Sequence, residues 1–421
     1  MTLAHRLRAQ GKRVTLIEAA PGLGGLASAW QVGDLVWDRH YHVTLLSDSH
    51  LRKLLAELDL ERDIEWTETR TGVFAGGRLY SVSNTLELLR FPVLGWLDVL
   101  RLGATILRAA HIEDWRGLEQ IPVAKWLERW SGKRTFERFW LPLLRSKLGE
   151  AYAETSAAFI WATIQRLYAA RRSGMKKEMF GTVRGGYARV LERFATRLEA
   201  SGVHALLGSP VIRVEPSQDK VRVVLRHGGI ETFDHVVVTA AAPVACRLCA
   251  GIAEDEARLL SDVRYLGIVC ASVLLRKPLA GFYVTNLLDP GLPFTGVIEM
   301  SALVRPGDFG GRGLVYLPRY LPPEDPFFET PDAEIEALFL AGLARVYPQV
   351  DRDDVLGFRI SRVRYVMPLP TLDYSSRLPP ADTSVPGLHL VNSSHILNGT
   401  LNVNETVQLA ELAAARFSAM A

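Results

Sequence analysis

A strand-terminal acid and a pair of glycines are the first residues in the sequence whose types and spacing could do chemistry. Glu18 ends the run RVTLIEA, and the loop that follows, APGLGGLAS, contains Gly24 and Gly25. In a βαβ nucleotide-binding unit, an acid at the end of the second strand binds the ribose hydroxyls of a dinucleotide. Surface strands also end in acids. The pattern alone therefore leaves two interpretations open, a ribose-binding acid and an ordinary surface residue.

The residues before Glu18 have the order of helix, turn and strand. Leu3 and Leu7 have helical spacing, and Gly11 ends the helix as a C-terminal cap would. In such units the G-x-G-x-x-G phosphate loop begins about 20 residues before the acid, which places its first glycine upstream of Met1. We therefore expect the sequence as written to lack this loop and the strand before it. Reading the DNA upstream of the Met1 codon in frame tests that expectation.

The cysteines and two histidines are the other candidates for chemistry. Cys246 and Cys249 form a C-x-x-C pair, but their spacing is helical and no second pair completes a zinc site, which favours packing. His40 and His42 are two apart on a predicted strand and would share a face, yet a metal needs a third ligand. No G-x-S-x-G or other nucleophile motif is present. We expect no bound metal.

Composition limits the class of protein. The 49 basic and 46 acidic residues give a formal charge of +3, which provides no bulk field for nucleic acid. Three cysteines are too few for a disulfide framework, and the basic N-terminus has no signal-peptide core, so we expect a cytoplasmic protein. The most apolar stretch, 88–107, contains Arg90, Asp98 and Arg101. These charges disfavour a membrane span but leave an interfacial helix and peripheral membrane contact open.

The elements that must position these residues alternate between helix and strand. Residues 86–180 are mostly helical and rich in tryptophan, which predicts a helical subdomain with indoles in its core. Strand patterns follow in SPVIRVE, KVRVVLRHGG, HVVVTAAAP, GIVCASVLLR and GLVYLPRYL, before a helix over 332–347 and a terminal strand, loop and helix. This order predicts an α/β protein with two interleaved domains. The predicted ranges are 1–85, 181–245 and 366–421 for an N-terminally truncated Rossmann-like nucleotide-binding domain, and 86–180 and 246–365 for an α+β substrate domain.

Six segments occur in an order that is shared with one family of enzymes. They are IEAAPGLGGLAS, VWDRHYHV, VRGGYARVLERFATRLEASGV, SPVIRVE, HVVVTAAAP and GLHLVNSSHILNGTLNVNETVQLAELAA. In order and spacing they resemble the flavin-containing amine oxidase superfamily, which includes monoamine oxidases, protoporphyrinogen oxidases and phytoene desaturases and has UDP-galactopyranose mutase as a structural relative. The resemblance covers nearly the whole chain. It implies FAD as the cofactor, a Rossmann-like FAD-binding domain and an FAD-dependent oxidoreductase.

The resemblance implies cofactor-binding roles near the start of the chain. It makes Glu18 the ligand of the adenosine ribose. It makes Gly24 and Gly25 the point at which the backbone passes close to the FAD phosphates. Leu26 and Ala27 complete this stretch. Leu26 stands where family members often have an arginine, which removes one charged phosphate contact.

Further roles implied by the resemblance fall on three later segments. WDRHYHV is similar to the family's fDxGxH-like stretch, so that Asp38 and His42 match while His40 replaces a glycine near the flavin. Val211 lies in the strand whose backbone pairs with the adenine. Ala240 lies in the small-residue loop behind the cofactor.

The C-terminal segment is similar to the family's last strand and the helix that faces the flavin. Ser393 stands where the family has an acidic residue, and Asn402, Val403 and Asn404 begin the helix. The resemblance implies that the first N–H groups of this helix face the flavin pyrimidine ring, where the partial positive charge of a helix N-terminus opposes negative charge. Asn404 could equally serve only as a helix N-cap.

Three side chains are candidates to lie beside the flavin and act in catalysis. They are His42, His395 and Tyr316. His395 lies in the polar loop just before the expected flavin-facing helix. An ordinary loop histidine is the simpler interpretation of that position.

Three hypotheses for function are open at this point. The first is an FAD-dependent oxidoreductase that removes a hydride from a C–N or C–C bond of a small apolar or amphipathic substrate. The second is a mutase that uses reduced flavin as a nucleophile on a UDP-sugar, with arginines of LPLLRSK and YAARRSG as diphosphate contacts. The third is a truncated, non-catalytic homologue that has lost the phosphate loop and holds no FAD.

Overall fold

The structure is a computed structural model that describes residues 1–172, 179–397 and 399–419, with side chains at 169–172 excepted. The strands are β1 (Thr15–Ile17), β2 (Ala29–Val32), β3 (Leu35–Asp38), β4 (Thr44–Leu45), β5 (Ile64–Glu68), β6 (Thr71–Ala75), β7 (Arg78–Ser81), β8 (Met179–Val183), β9 (His204–Leu206), β10 (Val211–Ser217), β11 (Lys220–Leu225), β12 (Ile230–Phe233), β13 (Val236–Val238), β14 (Tyr265–Leu275), β15 (Val284–Leu287), β16 (Gly296–Glu299), β17 (Gly313–Leu321), β18 (Val355–Pro368) and β19 (Leu388–Leu390). The helices are α1 (Thr2–Ala9), α2 (Ser49–Glu57), α3 (Thr85–Leu89), α4 (Trp96–Ala110), α5 (Val123–Ser131), α6 (Lys133–Thr135), α7 (Leu141–Leu148), α8 (Ala157–Arg172), α9 (Gly186–Ala200), α10 (Ala242–Leu248), α11 (Glu254–Asp262), α12 (Asp332–Val346) and α13 (Val403–Ala419).

The largest sheet has seven strands in the order β18-β14-β17-β16-β15-β6-β7. Its strand β14, second from one edge, reads YLGIVCASVLL and is buried at every position, as a strand covered on both faces must be. β14 pairs antiparallel with β17 and β18, whereas β6 joins β15 in parallel with Val73 opposite Asn286. We call these seven strands the central sheet.

One face of the central sheet is covered by α12. Its apolar side chains recur with helical period and are fully buried at Ile335, Phe339 and Leu343. They pack against Val315 and Leu317 of β17. The predicted helix over 332–347 is thereby confirmed, and its apolar face closes this core.

Two separate parallel pairs, β1 with β9 and β13 with β19, lie outside the central sheet. The helices α1, α2, α9 and α13 share a core with the first pair, with Leu51, Phe194 and Val407 buried in it. Glu411 of α13 accepts hydrogen bonds from Arg6 Nη2 at 2.7 Å and contacts His50 Nδ1 at 2.6 Å. The last helix therefore fastens α1 and α2 together. The α/β class predicted from the sequence is confirmed.

The predicted helical segment contains α3 to α8. Trp126, Trp140 and Trp161 are buried in its core, as expected from the tryptophan content. Trp96 is different, because 65% of its side-chain surface is exposed. No helix in the described part of the chain is both long and apolar enough to cross a membrane.

The division into two domains stays a prediction. The strand pairing crosses the predicted boundary. β6 and β7 belong to the range 1–85, which was assigned to the cofactor domain, yet β6 pairs with β15 from the range assigned to the substrate domain, and β7 pairs with β6. These two strands tie the two predicted domains together.

Candidate functional site

Buried polar atoms without partners are concentrated in one short part of the chain. Of the twelve such side-chain atoms among the described residues, six lie between residues 30 and 47. They are Trp30 Nε1, Trp37 Nε1, Arg39 Nε, His40 Nε2, His42 Nδ1 and Ser47 Oγ. Buried polar atoms in native proteins nearly always have partners. A cluster of exceptions therefore makes this stretch a candidate functional site.

Residues 37–42, which we call the histidine segment, leave the β2–β3 hairpin at Asp38. Arg39 N–H donates to Ser28 O at 2.9 Å, and no strand continues until Thr44. The expectation that His40 and His42 lie on a strand is therefore wrong. Side-chain contacts take the place of strand pairing here. The imidazole of His40 bonds to Leu26 O, and that of His42 packs against Tyr187.

The glycine loop lies immediately after β1. Gly24 has φ of +122°, and a Cβ there would come within 2.4 Å of Leu191 Cδ1, whereas a Cβ on Gly25, with φ of +55°, would meet nothing within 4 Å. Only glycine fits at Gly24, and the backbone at Gly25 is open to a ligand. Glu18 Oε1 accepts a hydrogen bond from Ala20 N–H at 2.8 Å, which holds the carboxylate at the start of this loop.

His40 connects the glycine loop to the histidine segment. Its Nδ1 lies 3.1 Å from Leu26 O, and only a protonated nitrogen can bond to a carbonyl oxygen. Burial lowers the pKa of His40 to about 4, so the ring is neutral at physiological pH. Nε2 is then a bare acceptor that has no partner among the described residues.

Asp38 and His42 form the buried end of the segment. Asp38 Oδ1 accepts a hydrogen bond from Tyr187 N at 2.7 Å, at the beginning of α9. A Cβ at Gly186, where φ is +65°, would come within 2.7 Å of the same oxygen. The GGY sequence is thus needed for the close approach. Burial raises the pKa of Asp38 to about 8, against the opposing effect of the Tyr187 N–H.

His42 lies against both of these residues. Its Nδ1 is 3.8 Å from Asp38 Oδ2, and its ring centroid is 4.9 Å from that of Tyr187. Burial lowers the pKa of His42 to about 4, so the imidazole is neutral. A cavity of about 10 Å³ adjoins it, with Trp37, Gly186 and Met300 in its lining. That is room for about one water molecule.

Tyr316 fixes the histidine segment to the central sheet. It lies in β17, is fully buried, and donates its hydroxyl to Asp38 O at 2.5 Å. Burial raises the pKa of Tyr316. The hydroxyl proton is engaged with the backbone of the segment, which makes this side chain a support for it.

A tyrosine pair beside the segment was missed by the sequence analysis. Tyr41 OH and Tyr320 OH are 2.8 Å apart, and Lys147 Nζ lies 3.4 Å from the centroid of the Tyr320 ring. Burial raises the pKa of Tyr41. The residues come from the segment, β17 and α7, so only the fold brings them together. In the sequence, only the position of Tyr41 between His40 and His42 pointed to this pair.

The predicted C-terminal cofactor residues divide into two groups. Ser393 Oγ lies 3.2 Å from Tyr265 OH, which accepts a hydrogen bond from Ala242 N–H at 3.3 Å. This chain of contacts joins Ser393 to the loop that contains Ala240. Asn392 beside it is buried, and its Nδ2 has no partner.

The other group makes local contacts. Asn402 Oδ1 accepts Glu405 N–H at 3.1 Å and is the N-cap of α13, which begins at Val403. Asn404 Oδ1 accepts from His50 N at 3.0 Å and from Leu51 N, so that its side chain caps α2 and not its own helix.

His395 is held by backbone groups of two loops, one on each side of β19 in the chain. Its Nε2 lies 3.2 Å from Pro379 O, and Asn392 N donates to its Nδ1 at 3.2 Å. Burial lowers its pKa. No contact joins His395 to His42 or Tyr316 among the described residues.

The predicted adenine side is assembled by one apolar cluster. Val211 and Ala240 are half-buried and pack against the same core, which also receives Ile17, the residue before Glu18. β10 is irregular between Val211 and Arg213, where its register against β11 shifts. The fold thus places the ends of β1, β10 and β13 around one core.

The cysteines make no comparable site. Cys246 lies in α10 and donates to Ala257 O at 3.4 Å, and burial raises the pKa of Cys249 to about 12. Both thiols are free. Across the described ranges, no group of three or more His, Cys, Asp or Glu side chains could hold a metal ion.

These features fit a dinucleotide cofactor with a ring system beside the histidine segment. The glycine loop offers open backbone, the helix start at α13 offers N–H groups, and His40 Nε2, His42 Nδ1 and Asn392 Nδ2 lack partners. Such a site on a mixed α/β fold defines a nucleotide-dependent redox enzyme.

The chain belongs to the flavin-containing amine oxidoreductase family, whose model matches residues 1–417. It is therefore an FAD-dependent oxidoreductase, and the predicted Rossmann-like FAD-binding fold is confirmed. No curated protein matches the sequence at a significant level.

Solved structures share this fold at low sequence identity. A proposed protoporphyrinogen oxidase from Exiguobacterium sp. 255-15 superposes with a TM-score of 0.77 at 15% identity, covering 100% of this chain and 96% of that one. Putrescine oxidase bound to putrescine gives a TM-score of 0.74 at 17% identity, over 99% and 96% of the two chains. Reduced UDP-galactopyranose mutase gives 0.74 at 13% identity, over 100% and 92%.

Proposed function

We propose that this protein removes a hydride from a C–N or C–C bond of a small apolar or amphipathic molecule. The observation that carries the proposal is the position of the histidine segment, which lies between the glycine loop and an apolar core. On one side lie the glycine loop and its contact to His40. On the other lies an apolar core that contains Trp37, Ile268, Met300 and Phe309. These buried side chains give the segment an apolar surrounding on that side.

The residues of the chain hold and surround the cofactor in this proposal. Glu18 and the loop at Gly24 and Gly25 bind the adenosine and phosphate end. His40 Nε2 accepts a hydrogen bond, because its pKa keeps the ring neutral. FAD, when bound, supplies the hydride acceptor. The apolar core excludes water from the reacting carbon.

We assign different roles to the three catalytic candidates. His42 is the one that would face the reacting centre, as a neutral imidazole beside a cavity with room for about one water molecule. Tyr316 is a positioning residue, since its hydroxyl is bonded to Asp38 O. His395 is a loop residue whose ring is bonded to the backbone of Pro379 and Asn392.

The mutase hypothesis finds less support in the described side chains. Arg145 of LPLLRSK pairs with Glu150 at 3.2 Å, and Lys147 lies over the Tyr320 ring. Both cationic side chains therefore already have a partner within the protein. The arginines of YAARRSG lie outside the residues whose side chains are described.

The test is anaerobic reduction of the bound flavin. The purified protein, saturated with FAD, is mixed with an arylalkylamine, a diamine and a porphyrinogen, and the flavin absorbance is followed. We expect bleaching by one class of donor. Bound flavin that no donor bleaches, together with isomerisation of a UDP-sugar by the dithionite-reduced protein, would assign the mutase. A protein that stays colourless after incubation with FAD would overturn both readings.

Two histidine variants test the assigned roles. His42→Phe keeps an aromatic ring against Tyr187 and should slow flavin reduction by about 100-fold, within the range for loss of an acid–base or positioning group. His395→Phe is the matched control and should leave the rate within a few fold. Equal losses in the two variants would contradict the assignment. Thermal unfolding of each variant separates a rate effect from a folding defect.

A further inference from the structure

One helix of the helical segment is apolar on both sides. α4 buries Val99, Leu102 and Ala109 against the core, yet it also exposes Trp96, Leu97, Leu100 and Leu107. A surface helix of a globular protein normally has a polar outer face. The outer apolar residues of α4 are therefore not explained by the folding of this segment.

The exposed residues are concentrated at this place. Six of the fifteen exposed large apolar side chains in the described ranges fall within residues 86–107. They are Leu86 and Leu89 of α3 and Trp96, Leu97, Leu100 and Leu107 of α4, which we call the apolar face. α3 contacts α4, so the six side chains belong to one surface.

Most of the charge around the apolar face is positive. With 3.6 residues per turn, Trp96, Leu100 and Leu107 point to one side of α4, and Arg101 and Arg108 follow one edge of that side. Both arginines are exposed. The acids between residues 86 and 112 are Glu87 and Asp98. Asp98 is buried, caps Gly95 N–H at 2.9 Å and pairs with Arg134, and Glu87 accepts a hydrogen bond from Ser83 N–H at 2.9 Å.

We propose that the apolar face lies on the surface of an anionic membrane. Leucines and a tryptophan on one side of a helix with arginines at their edge are the composition of helices that insert into the interface of a bilayer. The arginines complement anionic headgroups. A protein partner would need to present acids around an apolar groove, whereas a bilayer offers both chemistries over any area.

The experiment is sedimentation of the full chain with lipid vesicles. Wild-type protein should bind vesicles of phosphatidylcholine and phosphatidylglycerol and bind phosphatidylcholine alone more weakly. Leu100→Glu should lower the bound fraction constant at least about tenfold, the effect of losing one buried leucine. Leu412→Glu is the matched control, because Leu412 is exposed on α13 to 62% against 59% for Leu100, and it should bind like the wild type.

Two further measurements separate the sources of attraction. Arg101→Gln should weaken binding to the anionic vesicles about fivefold and leave binding to phosphatidylcholine unchanged. Trp96 is the exposed tryptophan of the nine in the chain, so brominated lipid should quench its fluorescence, and Trp96→Phe should remove that quenching.

Three results would overturn the proposal. The first is absence of wild-type binding to both kinds of vesicle. The second is equal binding by Leu100→Glu and the wild type. The third is an oligomer that Leu100→Glu converts to a monomer without any vesicle binding, which would assign the apolar face to contact between copies of the chain. None of these measurements depends on bound flavin or on turnover.

Discussion

The histidine segment and the central sheet lie against each other but satisfy their polar groups very differently. Six buried polar atoms between residues 30 and 47 lack partners, whereas none of the strands of the central sheet contains such an atom. Three side-chain hydrogen bonds join the two regions, from Tyr316 OH to Asp38 O, from Ser272 Oγ to Arg39 O and between the hydroxyls of Tyr41 and Tyr320. The sheet strands satisfy their buried side-chain polar atoms, whereas residues 30–47 leave six without a partner.

Polar groups within the central sheet show what closure means. Glu299 is fully buried and accepts hydrogen bonds from the backbone N–H groups of Leu279, Ala280 and Gly281. Burial raises the pKa of Glu299, and the three donors oppose this rise. No buried side-chain nitrogen or oxygen in the strands of the central sheet lacks a partner. The contrast teaches that the partnerless atoms are concentrated around the histidine segment and are absent from the strands against which it packs.

The largest expected effect comes from opening the closed region. Phe339→Ala removes a fully buried ring between α12 and the central sheet and should lower the free energy of unfolding by about 3–5 kcal/mol. Chemical denaturation measures this loss. Leu338→Ala, at a neighbouring position that is 43% exposed, should cost far less. Similar losses in the two variants would contradict the description of this core.

A smaller effect is expected from the glycine loop. Gly24→Ala forces a Cβ against Leu191 at a positive φ and should destabilise the protein by about 1–3 kcal/mol. It should also weaken FAD binding, because Leu26 O and the His40 contact move with the loop. Gly22→Ala is the control, since a Cβ there meets nothing within 4 Å. Isothermal titration with FAD and thermal unfolding are the measurements. Unchanged FAD affinity in Gly24→Ala would remove the loop from the site.

The pH dependence of stability sharpens the comparison at Asp38. Burial raises the pKa of Asp38 to about 8, so the folded protein holds a proton that the unfolded chain has already lost. The free energy of unfolding therefore falls as pH rises from the ordinary pKa of an aspartate, 3.8, to the raised pKa of about 8. Asp38→Asn keeps the acceptor for Tyr187 N–H but does not titrate. Its stability relative to the wild type should rise by about 1 kcal/mol between pH 6 and pH 7.

The control for this prediction is Asp219→Asn, at an exposed turn position. Its stability relative to the wild type should change little over the same interval of pH. Denaturation midpoints at both pH values provide the measurement. A parallel pH profile for Asp38→Asn and the wild type would show that Asp38 does not hold its proton in the folded protein.

The smallest effect tests one of the hydrogen bonds between the two regions. Tyr316→Phe removes the hydrogen bond to Asp38 O and should cost about 1 kcal/mol, with a shift in the spectrum of bound flavin. Tyr347→Phe removes a hydroxyl contact of 2.6 Å to Thr285 inside the central sheet. It should cost a similar amount and leave the flavin spectrum unchanged. A flavin shift in both variants, or in neither, would break the distinction between the regions.

Local elements could be predicted from the sequence where periodicity was strong. The strand in RVTLIEA is found as β1, the runs GIVCASVLLR and GLVYLPRYL lie in β14 and β17, and the helix over 332–347 is α12. These segments bury one or both faces, so their apolar residues recur with the period of a strand or a helix. The pairing of β6 with β15 left no such pattern, because residues about two hundred positions apart meet there through the fold alone.

The site was predictable to a lesser extent. The resemblance led to Gly24, His42 and Ser393, and the structure gives each a different neighbour, which is Leu191 for Gly24, Tyr187 for His42 and Tyr265 for Ser393. The cap that Asn404 gives to α2 could not be predicted, because a cap normally serves its own helix. The irregular backbone at His40 was also not predicted. Alternating residues predict a strand, and the side-chain bonding that interrupts the strand here leaves no pattern in the sequence.

The fastening of α1 and α2 by α13 bears on how the protein is made. Arg6 and Glu411 are separated by 405 positions, and a ribosome adds about 5–20 residues per second. The first helix therefore waits roughly 20–80 s for its partner after it is synthesised. During that time the nascent cofactor region exposes apolar surface that α13 later covers. Chaperone dependence and loss of protein at high expression should concentrate in this interval.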